Sequence, residues 1–167
     1  MKRDRDCGSP SGCNMMNFVG LLVVGKSSDR VAETLLDPAT LAAILPACKS
    51  IRTISDGHHL ARIEHHALPI GMDVDLTCLP TEDGVAISVK AGNLIFGKVR
   101  SDFNIALTAA PNGCRMRWTG ELTATGLAKN ILSGRELDVQ DHVQALFRRI
   151  KARAEAPVKA APKAGAA

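Results

Sequence analysis

The segment LLDPATLAAILPACKSI, residues 35–51, closes one short helix, makes a second and then hands the chain over to strands. Pro38 stops the helix before it and is acceptable in the first turn of the helix after it, and Pro46 ends that second helix, PATLAAIL. Upstream, Ser27, Ser28 and Asp29 are N-cap types placed before RVAETLLDP, in which Val31 and Leu35 share a helical face. Before them, FVGLLVV at 18–24 is a short apolar run suited to a strand buried on at least one face.

From Lys49 onward apolar residues recur at every second position, the period of antiparallel strands with one buried face. Met72, Val74, Leu76 and Cys78 alternate with Gly71, Asp73, Asp75 and Thr77; Val85, Ile87 and Val89 with Ala86, Ser88 and Lys90. Phe103, Ile105 and Leu107 continue the face of Val99 and Ser101, and Cys114, Met116, Trp118, Gly120 and Leu122 oppose Arg115, Arg117, Thr119, Glu121 and Thr123. Asp56-Gly57, Asp83-Gly84 and Asn112-Gly113 separate the runs as hairpin turns. After Gly126 the period returns to about 3.6, with Val139, Val143, Leu146, Phe147 and Ile150 on one face of a long closing helix. The order predicts an α+β domain: two short helices after the first strand, then a curved antiparallel sheet wrapped around a long C-terminal helix. A concave sheet and a cylinder do not fill space evenly, so an apolar cavity is expected between them.

The 167 residues suit one domain, expected over 17–153, between a disordered tail at 1–16 and a disordered Ala/Pro/Lys tail at 154–167. No apolar run approaches the roughly 20 residues of a membrane span. The start MKRDRDCGSPSGCNMMN lacks the apolar middle of a secretory signal, leaves Met15 or Met16 as candidate starts, and with an odd count of five Cys points to the cytoplasm. Cys7 and Cys13 have no neighbouring ligand types and make a poor zinc pair. The formal charge of +4 comes largely from Arg148, Arg149, Lys151, Arg153, Lys159 and Lys163, a cluster suited to a solvated helix end, an anionic membrane surface or an acidic partner. Aromatics at 3%, with no Tyr, argue against nucleic acid as a partner.

HHLARIEHH, residues 58–66, concentrates four of the five histidines. In a strand, His59, Ala61, Ile63, His65 and Ala67 share one face and His58, Leu60, Arg62, Glu64 and His66 the other. His59 and His65 would then lie roughly 20 Å apart, at about 3.3 Å per residue, too far to share an ion. No metal site is expected. His65, on the more apolar face, is either a satisfied core residue or a polar group turned into the cavity. Asp73 and Asp75 lie on a polar face, where solvation explains them, and no catalytic set is assigned. Met72, Val74, Leu76, Ile87, Val89, Phe103, Ile105, Met116, Trp118, Val139 and Val143 are candidate cavity residues, with Met116 and Trp118 the most adaptable to an apolar ligand. GNLIFGK, 92–98, lacks the spacing of a phosphate loop, and its glycines suit a sharp bend or a mobile loop at the cavity mouth.

Residues 35–51 also resemble the opening of the CoxG family of carbon monoxide dehydrogenase subunits, of the START-like, polyketide cyclase-like helix-grip superfamily. Leu35, Asp37, Pro38, Leu41, Leu45, Pro46 and Cys48 stand at the positions of its L-x-D-P-x-x-L-x-x-x-I-P-G-C pattern, while Ala47 replaces the usual Gly. The similarity continues through LPIGMDVDL, PNGCRMRWTGEL and GLAKNIL. It implies a helix-grip fold and an accessory protein of a molybdenum hydroxylase, with that enzyme's subunits as partners and a lipophilic quinone as ligand. No covalent cofactor is implied. It also implies membrane recruitment, hence a cytoplasmic protein peripheral on the inner face of the membrane. His65, if the strand turns it into the cavity, would hydrogen-bond a quinone carbonyl or another polar head group. A cyclase- or hydrolase-like enzyme using the same cavity, or a general carrier of hydrophobic metabolites, are the competing expectations.

Overall fold

A computed structural model describes residues 13–64 and 71–157. The elements are β1 (Asn14–Val24), α1 (Ser28–Leu36), α2 (Pro38–Ile44), β2 (Cys48–Ser55), β3 (His58–Ile63), β4 (Met72–Thr81), β5 (Gly84–Asn93), β6 (Gly97–Ala110), β7 (Gly113–Ala124), α3 (Gly126–Leu132) and α4 (Glu136–Glu155). All seven strands form one curved antiparallel sheet in the order β1-β7-β6-β5-β4-β3-β2, and the long α4 packs with β1, α1 and α2. This is the expected α+β helix-grip arrangement.

The helices begin where their caps require. Ser27 accepts a bond from the Arg30 N–H, and Asp37 accepts from the Ala39 and Thr40 N–H groups and from the Thr40 hydroxyl. Burial raises the Asp37 carboxyl pKa, but the bonds from Thr40 and Ala39 and the charge of Arg153 outweigh it and hold the net value below the ordinary 3.8. At the other end of α2, Arg149 of α4 donates to the Ile44 carbonyl at 3.3 Å. One of the basic residues near the chain's end therefore joins two helices.

Where α2 turns into β2, Ala47 has φ +57°, the one positive-φ non-glycine among the described residues. The turn is fixed because the Ala47 carbonyl accepts the Glu64 N–H at 3.0 Å. A Cβ in this left-handed region costs roughly 1–2 kcal/mol, partly offset by the greater unfolded-state freedom of glycine. Ala47→Gly is expected to stabilise the domain by about 0.5–1 kcal/mol in denaturant titration, and a loss of stability would mean that the Ala47 methyl packs favourably.

The strand registers put the predicted apolar faces inward. Ile105 lies opposite Trp118, Phe103 opposite Gly120, and Gly20 of β1 opposite Trp118 from the other side. The Trp118 ring lies across Gly20 and the Phe103 ring across Gly120, where a side chain on either glycine would occupy the ring's space. Trp118 stacks on Phe147 of α4, with centroids 4.0 Å apart and planes 9° apart, and Phe147 meets Phe103 edge-on at 5.7 Å. These rings join sheet to helix.

Three boundaries differ from expectation. Asn14, Met15 and Met16, assigned to the tail at 1–16, form the start of β1 opposite Ala124, Thr123 and Leu122, because β7 is long enough to pair with them and Met16 continues the buried alternation of Phe18. At the other end α4 continues past 153: Ala154 is fully buried, and Glu155 accepts the Gly25 N–H at 2.8 Å. The closing helix is also two helices, broken where Gly134 takes φ +77°. Residues 1–12 and 158–167 of the predicted tails lie outside the described residues.

Candidate functional site

The interior is sealed at one end and open at the other. Along α4, Phe147, Ile150 and Ala154 are buried, whereas Val139, Val143 and Leu146 nearer its N-terminus are only half-buried. The sheet shows the same gradient. Ile105, Met116 and Trp118 are buried beneath the sealed end, but Met72, Ile87, Val89 and Ala91 on the inner face keep partial exposure. Buried apolar residues accordingly form two clusters, one around Trp118 and Phe147 and one around Ala61, Val74 and Leu76.

At the open end a cleft of about 190 Å³ lies between the sheet and α3, with Met72, Ala91, Phe96, Val99, Ala128 and Ile131 among its walls. Its lining is almost wholly carbon. A depression of about 680 Å³ on the sheet's outer side sets the charged Asp73, Asp75, Lys90 and Arg100 among a largely apolar lining that includes Leu60 and Leu94.

The β5–β6 turn shapes the mouth of the cleft. Asn93 accepts the Ile95 and Phe96 N–H groups through its side-chain oxygen, at 2.9 and 2.8 Å, which sends Leu94 and Ile95 into solvent while Phe96 lines the cleft. The Phe96 carbonyl accepts the Ala128 N–H at 2.7 Å and the Lys98 carbonyl accepts the Thr125 N–H at 2.9 Å, so α3 is fastened to this turn. Gly97, at φ +84°, lies so close to the Thr125 carbonyl that no Cβ would fit. The glycines of GNLIFGK thus serve a bend at the mouth.

Of the residues named from sequence, Met72 reaches this cleft, and Ile87, Val89, Val139 and Val143 are the half-buried residues of the inner face and helix. Val74, Leu76, Phe103, Ile105, Met116 and Trp118 are buried packing residues, and Trp118 faces Phe147 across the sealed end. His65 lies outside the described residues. The face assignment holds for its neighbours: His58 points outward to Asp75 at 3.0 Å, while His59 is buried beside Thr53. Arg62 and Asp73 also pair on the outer face at 3.0 Å. Among the described residues no group of three His, Cys, Asp or Glu side chains could hold a metal ion. Sequence reasoning missed Phe96, Ala128 and Ile131, although the GLAKNIL pattern places Ala128 and Ile131 three apart on one helical face.

Residues 20–155 match the profile of the CoxG family of carbon monoxide dehydrogenase subunits. No curated protein matches the chain. Among solved structures, a conserved protein from Geobacillus kaustophilus is 18% identical with a TM-score of 0.69, over 83% of this chain and 95% of that one. Ara h 8.0201 is 14% identical at TM-score 0.62, over 84% and 98% of the two chains. Norcoclaurine synthase from Thalictrum flavum, in complex with dopamine and hydroxybenzaldehyde, is 14% identical at TM-score 0.56, over 84% and 87%. These likenesses show the fold.

Proposed function

The chain belongs to the CoxG family of carbon monoxide dehydrogenase subunits, and from that premise we propose that it is a non-catalytic accessory protein of a molybdenum hydroxylase, holding a lipophilic molecule such as a quinone in the apolar cleft. The observation that carries this reading is the apolar cleft itself, in which the partly exposed Met72, Ala91 and Val99 of the sheet and Phe96 of the β5–β6 turn face Ala128 and Ile131 of α3. Side chains of this kind left partly exposed inside a domain lose burial free energy, about 25 cal/mol per Å² of apolar surface, which a lipophilic ligand would recover. Among the described residues the cleft's walls offer no titratable side chain for acid–base work, which favours binding over catalysis.

The mouth supports a route for such a ligand. Leu94 and Ile95 at the turn tip, with Ile131 and Leu127 of α3, form an exposed apolar rim around it, and Lys90 and Lys98 lie on the strands that carry the turn. An apolar tip with cations behind it suits peripheral contact with an anionic membrane, from which the ligand would pass into the cleft and then to the enzyme. No helix among the described residues is long and apolar enough to cross a membrane. In this reading the protein recruits the enzyme, or carries electrons for it, at the inner membrane face.

Native mass spectrometry and solvent extraction of the protein purified from its own host test the proposal. A co-purified quinone or other lipophilic compound near one per chain is expected. Protein that is free of any such compound, and that binds none when mixed with quinone-containing vesicles, would overturn it.

A further inference from the structure

Away from the apolar cleft, the far end of β4 meets the elbow between α1 and α2. A pocket of about 360 Å³ opens there, walled by Leu36, Pro38, Thr53, His59, Cys78 and Pro80 among others. Its size falls within the roughly 300–1,000 Å³ of small-molecule sites. His59 is 3% exposed; its Nδ1 lies 3.1 Å from the Thr53 hydroxyl, and its Nε2 is buried with no hydrogen-bond partner. A buried polar atom left unpaired destabilises a fold, so an apolar residue here would suit packing better than histidine does.

The neighbours narrow what could satisfy that nitrogen. Burial pushes the Cys78 thiol up to about 11, so it stays protonated and offers neither a nucleophile nor a charge. Leu36, Pro38 and Pro80 favour a largely apolar occupant, and the Asp56 carboxylate at the same pocket disfavours an anionic one. The Thr53 hydroxyl can donate to Nδ1 or accept from it, and Nε2 correspondingly carries an N–H or a lone pair.

We propose that His59 anchors the oxygen-bearing end of the lipophilic ligand, its Nε2 donating to a carbonyl oxygen in one tautomer and accepting from a hydroxyl in the other. This rests on the lipophilic-ligand reading given above and adds to it the place and chemistry of the polar end. The exchange of roles suits a ring that exists as quinone and as hydroquinone.

The test uses the full chain with ¹⁵N-labelled histidine, titrated with a decyl-substituted benzoquinone and, separately, with decylbenzene. The quinone is expected to move the His59 ring nitrogen resonances, decylbenzene to bind and leave them in place, and His59→Phe to weaken quinone affinity about tenfold without weakening decylbenzene. His59→Gln, which keeps a polar group, should retain most of the quinone affinity, and the labelled wild-type titration decides the matter even if a variant fails to fold. Quinone binding with His59 unmoved, or equal loss of both probes in His59→Phe, would remove the anchor and leave the apolar-cleft reading standing. Failure of both probes to bind the wild-type chain would overturn both readings.

Discussion

Trp118→Ala is expected to cost the domain about 3–5 kcal/mol, the range for removing a large aromatic from a packed core. For a chain of this length that corresponds to a fall in Tm of roughly 10 °C, at about 2–4 °C per kcal/mol. The magnitude follows from what the ring touches. It is fully buried, covers Gly20 of β1 and lies parallel to Phe147 at 4.0 Å, so its loss opens a void bordered by two sheet strands and the closing helix at once. Gly20 has no side chain to move into that void, and Phe147 is also held edge-on against Phe103 at 5.7 Å. One term acts the other way: the Trp118 Nε1–H is buried without a partner, and its removal relieves that cost. Trp118→Phe should therefore lose much less than Trp118→Ala, because it keeps a ring over Gly20 and removes the unpaired donor. Thermal unfolding followed by circular dichroism checks both variants, and a loss under about 1 kcal/mol for the alanine variant would show that the ring does not join sheet to helix.

The same ring shows what the sequence could and could not reveal. Alternation placed Trp118, Met116 and Ile105 on the inner face correctly, because strand geometry alone sets the face. It could not separate a residue stacked on the helix from one bordering open space, since that depends on how close α4 comes to each strand. The helix is tight at Phe147 and Ile150 and looser at Val139, a gradient not written in the 3.6-residue period. In HHLARIEHH, likewise, the opposite faces of His58 and His59 were legible, but not that His59 is buried and half-satisfied, because the α1–α2 elbow above it is brought there only by the tertiary structure. The motif at 35–51 performed best, because Asp37, Pro38 and Pro46 act locally. The break at Gly134 was missed because the apolar period resumes after it with little interruption.

Ala91→Phe is expected to weaken binding of lipophilic molecules at the apolar cleft by at least about tenfold, equivalent to about 1.4 kcal/mol. Ala91 lies on the inner face of β5 between Val74 of β4 and Val99 of β6, and it lines the 190 Å³ cleft directly. A phenyl group there would project toward Ala128 and Ile131 and occupy the volume that the ligand needs. Because that space is open, the substitution should avoid the roughly 1–3 kcal/mol penalty of overpacking, and Tm should change little. The combination of lost binding with retained stability is the informative outcome, since a merely misfolded variant would lose both. Ala106→Phe, on the outer face of β6, supplies the control and should leave binding intact. A large loss of stability in Ala91→Phe would mean that the cleft closes in solution, and unchanged affinity for the decyl-substituted benzoquinone would place the ligand elsewhere in the fold. Full retention of binding by both variants would therefore remove the cleft between the sheet and α3 as the cargo site.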